Sequence, residues 1–200
     1  MNFFVKVKKA FLISIFMFVF CGIVYPLFMT GVSQLMFYNK ANGSLITYNN
    51  EVVGSKLIGQ DFTDPKLFHC RPSAVMYNVF ESNKYKSLSS GSQNLSVSNP
   101  ELKKRISNDI EKFMRENPTV KKSDITEDII TQSSSGLDPH ISEKSAYIQV
   151  DRIKNNTGLS EDIIYNLIKE NTNHKLFGIL GENTVNVLEL NIDLIRELKK

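Results

Sequence analysis

Two hundred residues with 42% hydrophobic and 22% charged content suffice for one domain with its own apolar core, so long disorder and dependence on disulfides or metals are excluded at the outset. The formal charge of +3 is carried entirely by Lys6, Lys8 and Lys9; without them 21 basic residues face 21 acidic ones. A body of zero formal charge offers no broad phosphate-neutralising surface, which excludes nucleic acid as a partner.

The first element follows those lysines. From Ala10 to Asn39 there is no charged residue, and Ala10 to Met29 is almost wholly apolar. About 20 such residues at 1.5 Å each cross a hydrocarbon core of about 30 Å. The run is too long and too rich in phenylalanine for a cleaved leader, and Phe20 before Cys21 lacks the small residue that lipoprotein processing needs. The expected organisation is therefore a cytoplasmic amino terminus over 1–9, a transmembrane helix over 10–32 and an extracytoplasmic domain over 33–200. Tyr25-Pro26 marks an interfacial end where the helix kinks. Cys21 in the span and Cys70 beyond it cannot bridge, and Cys70 reads as a small, partly buried residue.

Beyond the span, Gly43 to Phe62 is strand-like, with Val52, Val53, Leu57, Ile58 and Phe62 as core candidates. Residues 73–99 read as a surface loop, with seven serines and three asparagines between Ser82 and Asn99. Asn99-Pro100 opens an amphipathic helix carrying Leu102, Ile106, Ile110, Phe113 and Met114 until Pro118 stops it. A second helix follows Ser142 with Ala146, Val150 and Ile153 and ends before Gly158. A third is capped by Ser160 and buries Ile163, Leu167 and Ile168. Thr184 to Leu190 alternates as a strand, and Asn191 to Lys200 closes as a short helix. The fold class is α+β: a single N-terminal transmembrane helix followed by one mixed α/β extracytoplasmic domain, without internal repeats.

The densest polar cluster is Thr131 to Ser142. It contains a hydroxyl, a carboxylate and an imidazole, but no nucleophile elbow, and sequence neighbours rarely converge as a catalytic triad. Asp138 and Ser142 are better read as caps of the following helix, with Pro139 stiffening the turn. His69, His140 and His174 are too widely spaced for a zinc site, and no phosphate-binding glycine loop is present. No catalytic residue, metal ligand or directly bound cofactor is expected.

Six motifs, in order and spacing, resemble the KdpC family. They are Gly54-Ser55-x-Leu57-Ile58-Gly59-Gln60-x-Phe62; Phe68-His69-Cys70-Arg71-Pro72-Ser73-Ala74; Ser90-Gly91-Ser92-Gln93-Asn94-Leu95 with Asn99-Pro100; Ser135-Gly136-Leu137-Asp138-Pro139-His140-Ile141-Ser142; Gln149-Val150-x-Arg152-Ile153; and Leu180-Gly181-Glu182-x-x-Val185-Asn186-Val187-Leu188-x-Leu190-Asn191. Cys70 departs from the pattern, standing where glycine is common, and so does Thr126, where proline is common. The resemblance implies an accessory subunit of the high-affinity potassium-importing P-type ATPase of prokaryotes, anchored in the cell membrane. Its partners would be the potassium-conducting subunit and the phosphorylated catalytic subunit, which handle potassium and ATP. The chain has no Asp-Lys-Thr-Gly-Thr motif, in keeping with a non-catalytic role.

The resemblance also implies an influence on ATP binding. Leu88-Ser89-Ser90-Gly91-Ser92-Gln93 faintly resembles the signature of ABC transporters, making Ser90, Gly91, Ser92, Gln93 and Asn94 candidate nucleotide contacts. A domain outside the cell would affect nucleotide only through coupled conformations. Arg71, Pro72, Ser73, Ser135, Gly136, Asp138, Pro139 and His140 are candidate docking residues. For the Ser/Asn-rich stretches, docking, simple turn formation and oxygen ligation of potassium remain open. The residues alone also admit a membrane-anchored extracellular hydrolase built on Ser135 and His140, or a free-standing sensor module.

Overall fold

The computed structural model describes residues 3–79 and 87–200; the part of the expected 73–99 loop over 80–86, and Met1 and Asn2 of the amino terminus, lie outside these. Residues 1–45 and 46–200 form two compact units.

In the first unit, α1 (Phe3–Val19), a π-helical turn (Phe20–Val24) and α2 (Tyr25–Met36) make one apolar helix of 34 residues, long enough to span a bilayer. The π-turn has a covalent cause. Pro26 has no N–H for the carbonyl of Gly22, four residues earlier, and the ladder absorbs the missing bond by widening over Phe20–Val24. The irregularity expected at Tyr25-Pro26 thus lies one turn earlier. A short helix, α3 (Tyr38–Ala41), follows.

The second unit opens within β1 (Leu45–Tyr48), which pairs with β2 (Glu51–Ser55) through Asn49-Asn50. Both asparagines have positive φ, 51° and 65°, the conformation of a two-residue hairpin turn. The next elements are α4 (Pro100–Glu116), α5 (Glu127–Ile130), β3 (His140–Ser142), α6 (Glu143–Tyr147), α7 (Val150–Thr157), α8 (Glu161–Glu170), β4 (Thr172–Asn173), β5 (Thr184–Asn186) and α9 (Val187–Glu197). The second sheet has the order β3-β5-β4 and is antiparallel, with Ile141 opposite Val185 and Thr172 opposite Val185 on the other side.

The caps work as expected at three helices: the side chains of Asn99, Ser142 and Ser160 accept from the backbone N–H of Glu101, Ser145 and Ile163. Four readings need correction. Leu57, Val52 and Ile58 are not core residues but are 61%, 59% and 48% exposed. The helix after Ser142 is broken at Ile148-Gln149 into α6 and α7. Thr184 to Leu190 is strand only to Asn186, whose side chain accepts from Glu189 N and starts α9 four residues early, at Val187. Asp138 caps no helix; its Oδ1 accepts from His140 N, 3.0 Å away, inside the turn before β3.

The core gathers Phe68, Ile141, Ala146, Ile153, Ile164, Ile168, Val185, Val187, Leu190 and Leu194, each at most 2% exposed. Full burial of such side chains contributes about 1.5–3 kcal/mol each. Set among them are buried polar side chains that serve one segment, Pro65–His69. This segment belongs to no sheet, yet Phe68 is completely buried. Asn191 accepts from Phe68 N at 2.8 Å and donates to Phe68 O at 3.0 Å. Gln149 Oε1 accepts from His69 N at 2.8 Å, and Arg152 donates to the carbonyls of Pro65 and Leu67 at 2.7 and 2.8 Å. Side chains of α7 and α9 and the Gln149 side chain thus supply what a neighbouring strand would.

Arg152 is 5% exposed, and burial lowers its pKa to about 10, opposed by Glu116 and Asp64; it remains charged at neutral pH. Replacing it with methionine leaves the Pro65 and Leu67 carbonyls and Asn117 without their donor. The Arg152→Met chain in mild detergent is therefore expected to lose about 3 kcal/mol or more of stability in denaturant unfolding. Lys103→Met on the exposed face of α4 should lie within about 0.5 kcal/mol of the parent; equal stability of the two variants contradicts the assignment.

Candidate docking site

The stitched segment ends at His69 and, past the buried Cys70 thiol, leads Arg71, Pro72 and Ser73 to the partly exposed edge of the domain. Arg71 Nη1 donates to Asp138 Oδ2 at 2.9 Å, and its other terminal nitrogen lies 3.5 Å from the Thr131 hydroxyl. Asp138 also holds His140, whose Nδ1 lies 3.5 Å from Oδ1. These three side chains are 22%, 26% and 33% exposed: oriented by the domain and still open to a partner. Burial acts to raise the Asp138 pKa, but the bonds from the His140 ring and N–H, with the charge of Arg71, outweigh it and hold the carboxyl below its ordinary range.

Two further loops close on the same place. Ser73 Oγ donates to Gly136 O at 2.6 Å and accepts from the N–H groups of Val75 and Tyr77. Gly91 N and Ser90 Oγ donate to Ser135 O at 2.7 and 3.0 Å. The approach demands glycine at two positions. Gly136 has φ +67°, and a Cβ there would lie 2.7 Å from Gly91 O; one on Gly59 would lie 2.6 Å from both Asp138 O and the Tyr77 ring. Tyr77 OH donates to Arg71 O at 2.8 Å, and burial pushes the adjacent Cys70 thiol up to about 12, leaving it protonated and unreactive.

Beside this junction lies a cleft of about 600 Å³ between α4 and the 61–77 segment. Arg105, Asp109, Lys112 and Glu116, one stripe of α4, face Arg71, Pro72, Ser73 and Tyr77 across it. Glu116 is engaged by His69 Nδ1 at 3.3 Å, and this bond foremost lowers its pKa. Burial raises the pKa of Asp109, with Arg105 and Lys112 opposing. Among the described residues, the buried side-chain polar atoms without a partner are Arg71 Nε, Arg105 Nε and Asp109 Oδ2, and all three belong to residues lining this cleft.

The expected docking residues therefore do assemble: Arg71, Ser73, Ser135, Gly136, Asp138 and His140 meet at one junction, and Pro72 lines the cleft. Pro139 acts internally, its carbonyl accepting from Val187 N at 2.9 Å. Of the candidate nucleotide contacts, Ser90 and Gly91 are spent on Ser135. Ser92, Gln93 and Asn94 border a recess of about 140 Å³ with Leu102, Arg105 and Gln132, below the roughly 300–1,000 Å³ of small-ligand sites. The hydrolase reading finds no geometry: Ser135 Oγ accepts from Leu137 N and lies 3.5 Å from Ser133 Oγ, while Asp138 holds His140. Sequence reading missed the cleft stripe of α4, whose spacing of four, three and four was visible beside the apolar stripe, and it missed Asp128. That carboxylate ties α5 to β3 and α6 through Ser142 N at 2.6 Å and the hydroxyls of Ser142 and Ser145, with Thr126 joining the cluster through Ser145.

A family model described as "K+-transporting ATPase, c chain" matches residues 7–196. The chain belongs to the KdpC family. Relatives named potassium-transporting ATPase KdpC subunit include that of Clostridium kluyveri, 48% identical over 98% of this chain and 96% of the relative, and that of Clostridioides difficile strain 630, 48% identical over 96% and 97%. A third, from Caldanaerobacter subterraneus subsp. tengcongensis, is 44% identical over 98% and 97%. The match runs through all of the loops that build the Arg71–Asp138–His140 junction of this KdpC-family chain.

Two predictions follow from the geometry. Burial acts to raise the Asp128 pKa, but the N–H of Ser142 and the surrounding hydroxyls outweigh it, so Asp128, Asp138 and Glu116 all titrate below their ordinary values. Lowered carboxyl pKa values stabilise the fold at pH above the ordinary carboxyl range, and that stability is lost as pH falls through about 4 and below. Denaturant titrations of the full chain between pH 7 and 3 should show this decline, with a shallower slope in Asp128→Asn. Separately, Gly136→Ala adds a clash to a left-handed backbone and should cost about 1–3 kcal/mol in the same assay; a neutral result refutes the close approach to Gly91.

Proposed function

We propose that the chain is the accessory subunit that assembles and stabilises a potassium-transporting ATPase and modulates its coupling. Its helix would pack in the bilayer against the partner chains, and the domain over residues 46–200 would dock on the potassium-conducting subunit near its external entrance. Membership of the KdpC family makes it a non-catalytic part of such a pump, anchored by a single span. The positive-inside rule, applied to Lys6, Lys8 and Lys9, favours a cytoplasmic amino terminus and a domain outside.

One observation supports the docking role: the loops around Arg71 and Ser90 close on residues 135–138, and Asp138 holds Arg71 and His140 in a fixed, partly exposed arrangement beside a cleft whose polar groups the domain leaves incompletely paired. Such a surface suits a partner that completes it. Potassium ligation by the Ser/Asn-rich stretches is disfavoured, because the carbonyls of Ser135 and Gly136 and the Asp138 carboxylate already accept from Ser90, Gly91, Ser73 and Arg71. Influence on ATP use would travel through coupled conformations of the assembly rather than through nucleotide held by Ser90 to Asn94.

The test is affinity purification of the full chain in mild detergent from potassium-starved cells. A P-type ATPase catalytic chain and a second large membrane chain should co-purify; their absence overturns the proposal. Arg71→Glu should reduce their recovery through repulsion from Asp138 and disruption of the junction. On intact cells, a membrane-impermeant amine reagent should modify Lys103 and Lys104 on the exposed face of α4; modification only after permeabilisation reverses the sidedness.

A further inference from the structure

The connection between β4 and β5 is built as an apolar finger. Leu176, Phe177, Ile179 and Leu180 are 61%, 85%, 80% and 60% exposed, four large apolar side chains within five residues. Sheet hairpins ordinarily end in polar turn residues, and large contiguous apolar exposure marks an interaction site. The finger is rigid at both ends. At its tip, Leu176 and Leu180 exchange two backbone hydrogen bonds, 2.9 and 3.0 Å, and Gly178 N donates to Lys175 O at 3.0 Å. At its base, Asn183 Oδ1 accepts from Lys175 N and Asn183 Nδ2 donates to Glu143 of α6. Phe177 has φ +54°, a left-handed conformation that an aromatic residue rarely takes, and it is the most exposed of the four. The backbone therefore projects this ring instead of folding it inward.

We propose that the finger is an anchor that inserts Phe177 and Ile179 into an uncharged, apolar recess on another chain of the pump; this rests on the subunit role given above. Two features favour a protein recess over a lipid surface. The charged side chains within 174–183 are Lys175 and Glu182, which pair with each other at 3.3 Å, so the tip is neutral and offers no free cation to anionic headgroups. The segment also lacks the tryptophan, tyrosine and multiple lysines that anchor interfacial segments in lipid. An aromatic and an aliphatic side chain entering a pocket, rimmed by a polar pair, is the arrangement of an interface hot spot, and a pre-formed finger loses little conformational freedom on docking.

The chain contains no tryptophan, so Phe177→Trp adds one fluorophore to it, read in the complex as the difference from the spectrum of the parent complex. In the purified complex its emission should shift to the blue relative to the isolated full chain in the same detergent, and after reconstitution in bilayers it should resist quenching by brominated phosphatidylcholine. Identical emission in both preparations, or quenching by the brominated lipid, overturns the proposal; the latter identifies lipid as the occupant. Phe177→Asp should lower recovery of the catalytic chain by about tenfold or more, while denaturant stability, which an exposed tip does not govern, stays unchanged. If the parent chain recovers no catalytic chain, the subunit role fails. If the parent recovers it and Phe177→Asp recovers it equally well, the finger alone is refuted.

Discussion

Arg152, Gln149 and Asn191 do for the segment Pro65–His69 what a β-strand does elsewhere: they satisfy its backbone while Phe68 is driven into the core. This is the constraint on which the remaining architecture depends. A buried backbone without partners forfeits about 1–3 kcal/mol per group, so an irregular segment can cross the interior only if side chains pair it. The arrangement is mutual, since Gln149 Oε1 also accepts from Arg152 at 2.6 Å and Asn117 Oδ1 from Arg152 Nε at 3.1 Å. His69 joins it through its ring, with Nδ1 3.3 Å from Glu116 Oε2, and Nε2 3.1 Å from Asp64 O and 3.3 Å from Arg152 Nη1.

The consequence is positional. Arg71 stands two residues past His69, and its guanidinium meets Asp138 because the preceding backbone is fixed in the core. Asp138 in turn fixes His140 at the start of β3, the edge strand paired with β5. The family motifs that are scattered along the sequence thus fall into one chain of contacts. Gln149 and Arg152 act from the interior, Arg71 and Asp138 at the surface, and Gly59 and Gly136 permit the loops to touch. A domain organised in this way presents a fixed polar face, in which Asp138 holds Arg71 and His140.

The parts of this legible in the sequence were those governed by local rules. The Asn99-Pro100 start of α4 and the Ser160 cap of α8 are local hydrogen-bonding signals, and tertiary packing agrees with them. The β5–α9 boundary was misplaced because Val185, Val187 and the following leucines alternate well enough for a strand. Asn186 with Glu189 is itself a helix-start pattern, and the cap wins because the helix then buries Val187, Leu190 and Leu194 together. Leu57 and Ile58 were misjudged because hydrophobicity alone does not say which side of a loop faces solvent. The polar stitch was invisible for a different reason: a buried Arg or Gln has the same letter as a surface one, and only the fold reveals that Arg152 is surrounded by carbonyls. The junction residues were recognisable as motifs, but their convergence depends on contacts such as Arg71 with Asp138, 67 residues apart.

The most direct measurement is amide hydrogen exchange on the full chain in detergent, resolved at Phe68 and His69. Their N–H groups bond to side chains of Asn191 and Gln149 and lie outside any sheet, so the account predicts protection comparable to that of Val185 in the central strand β5. Exchange as fast as at exposed Val97 would contradict it, because the segment that places Arg71 would then be held by packing alone.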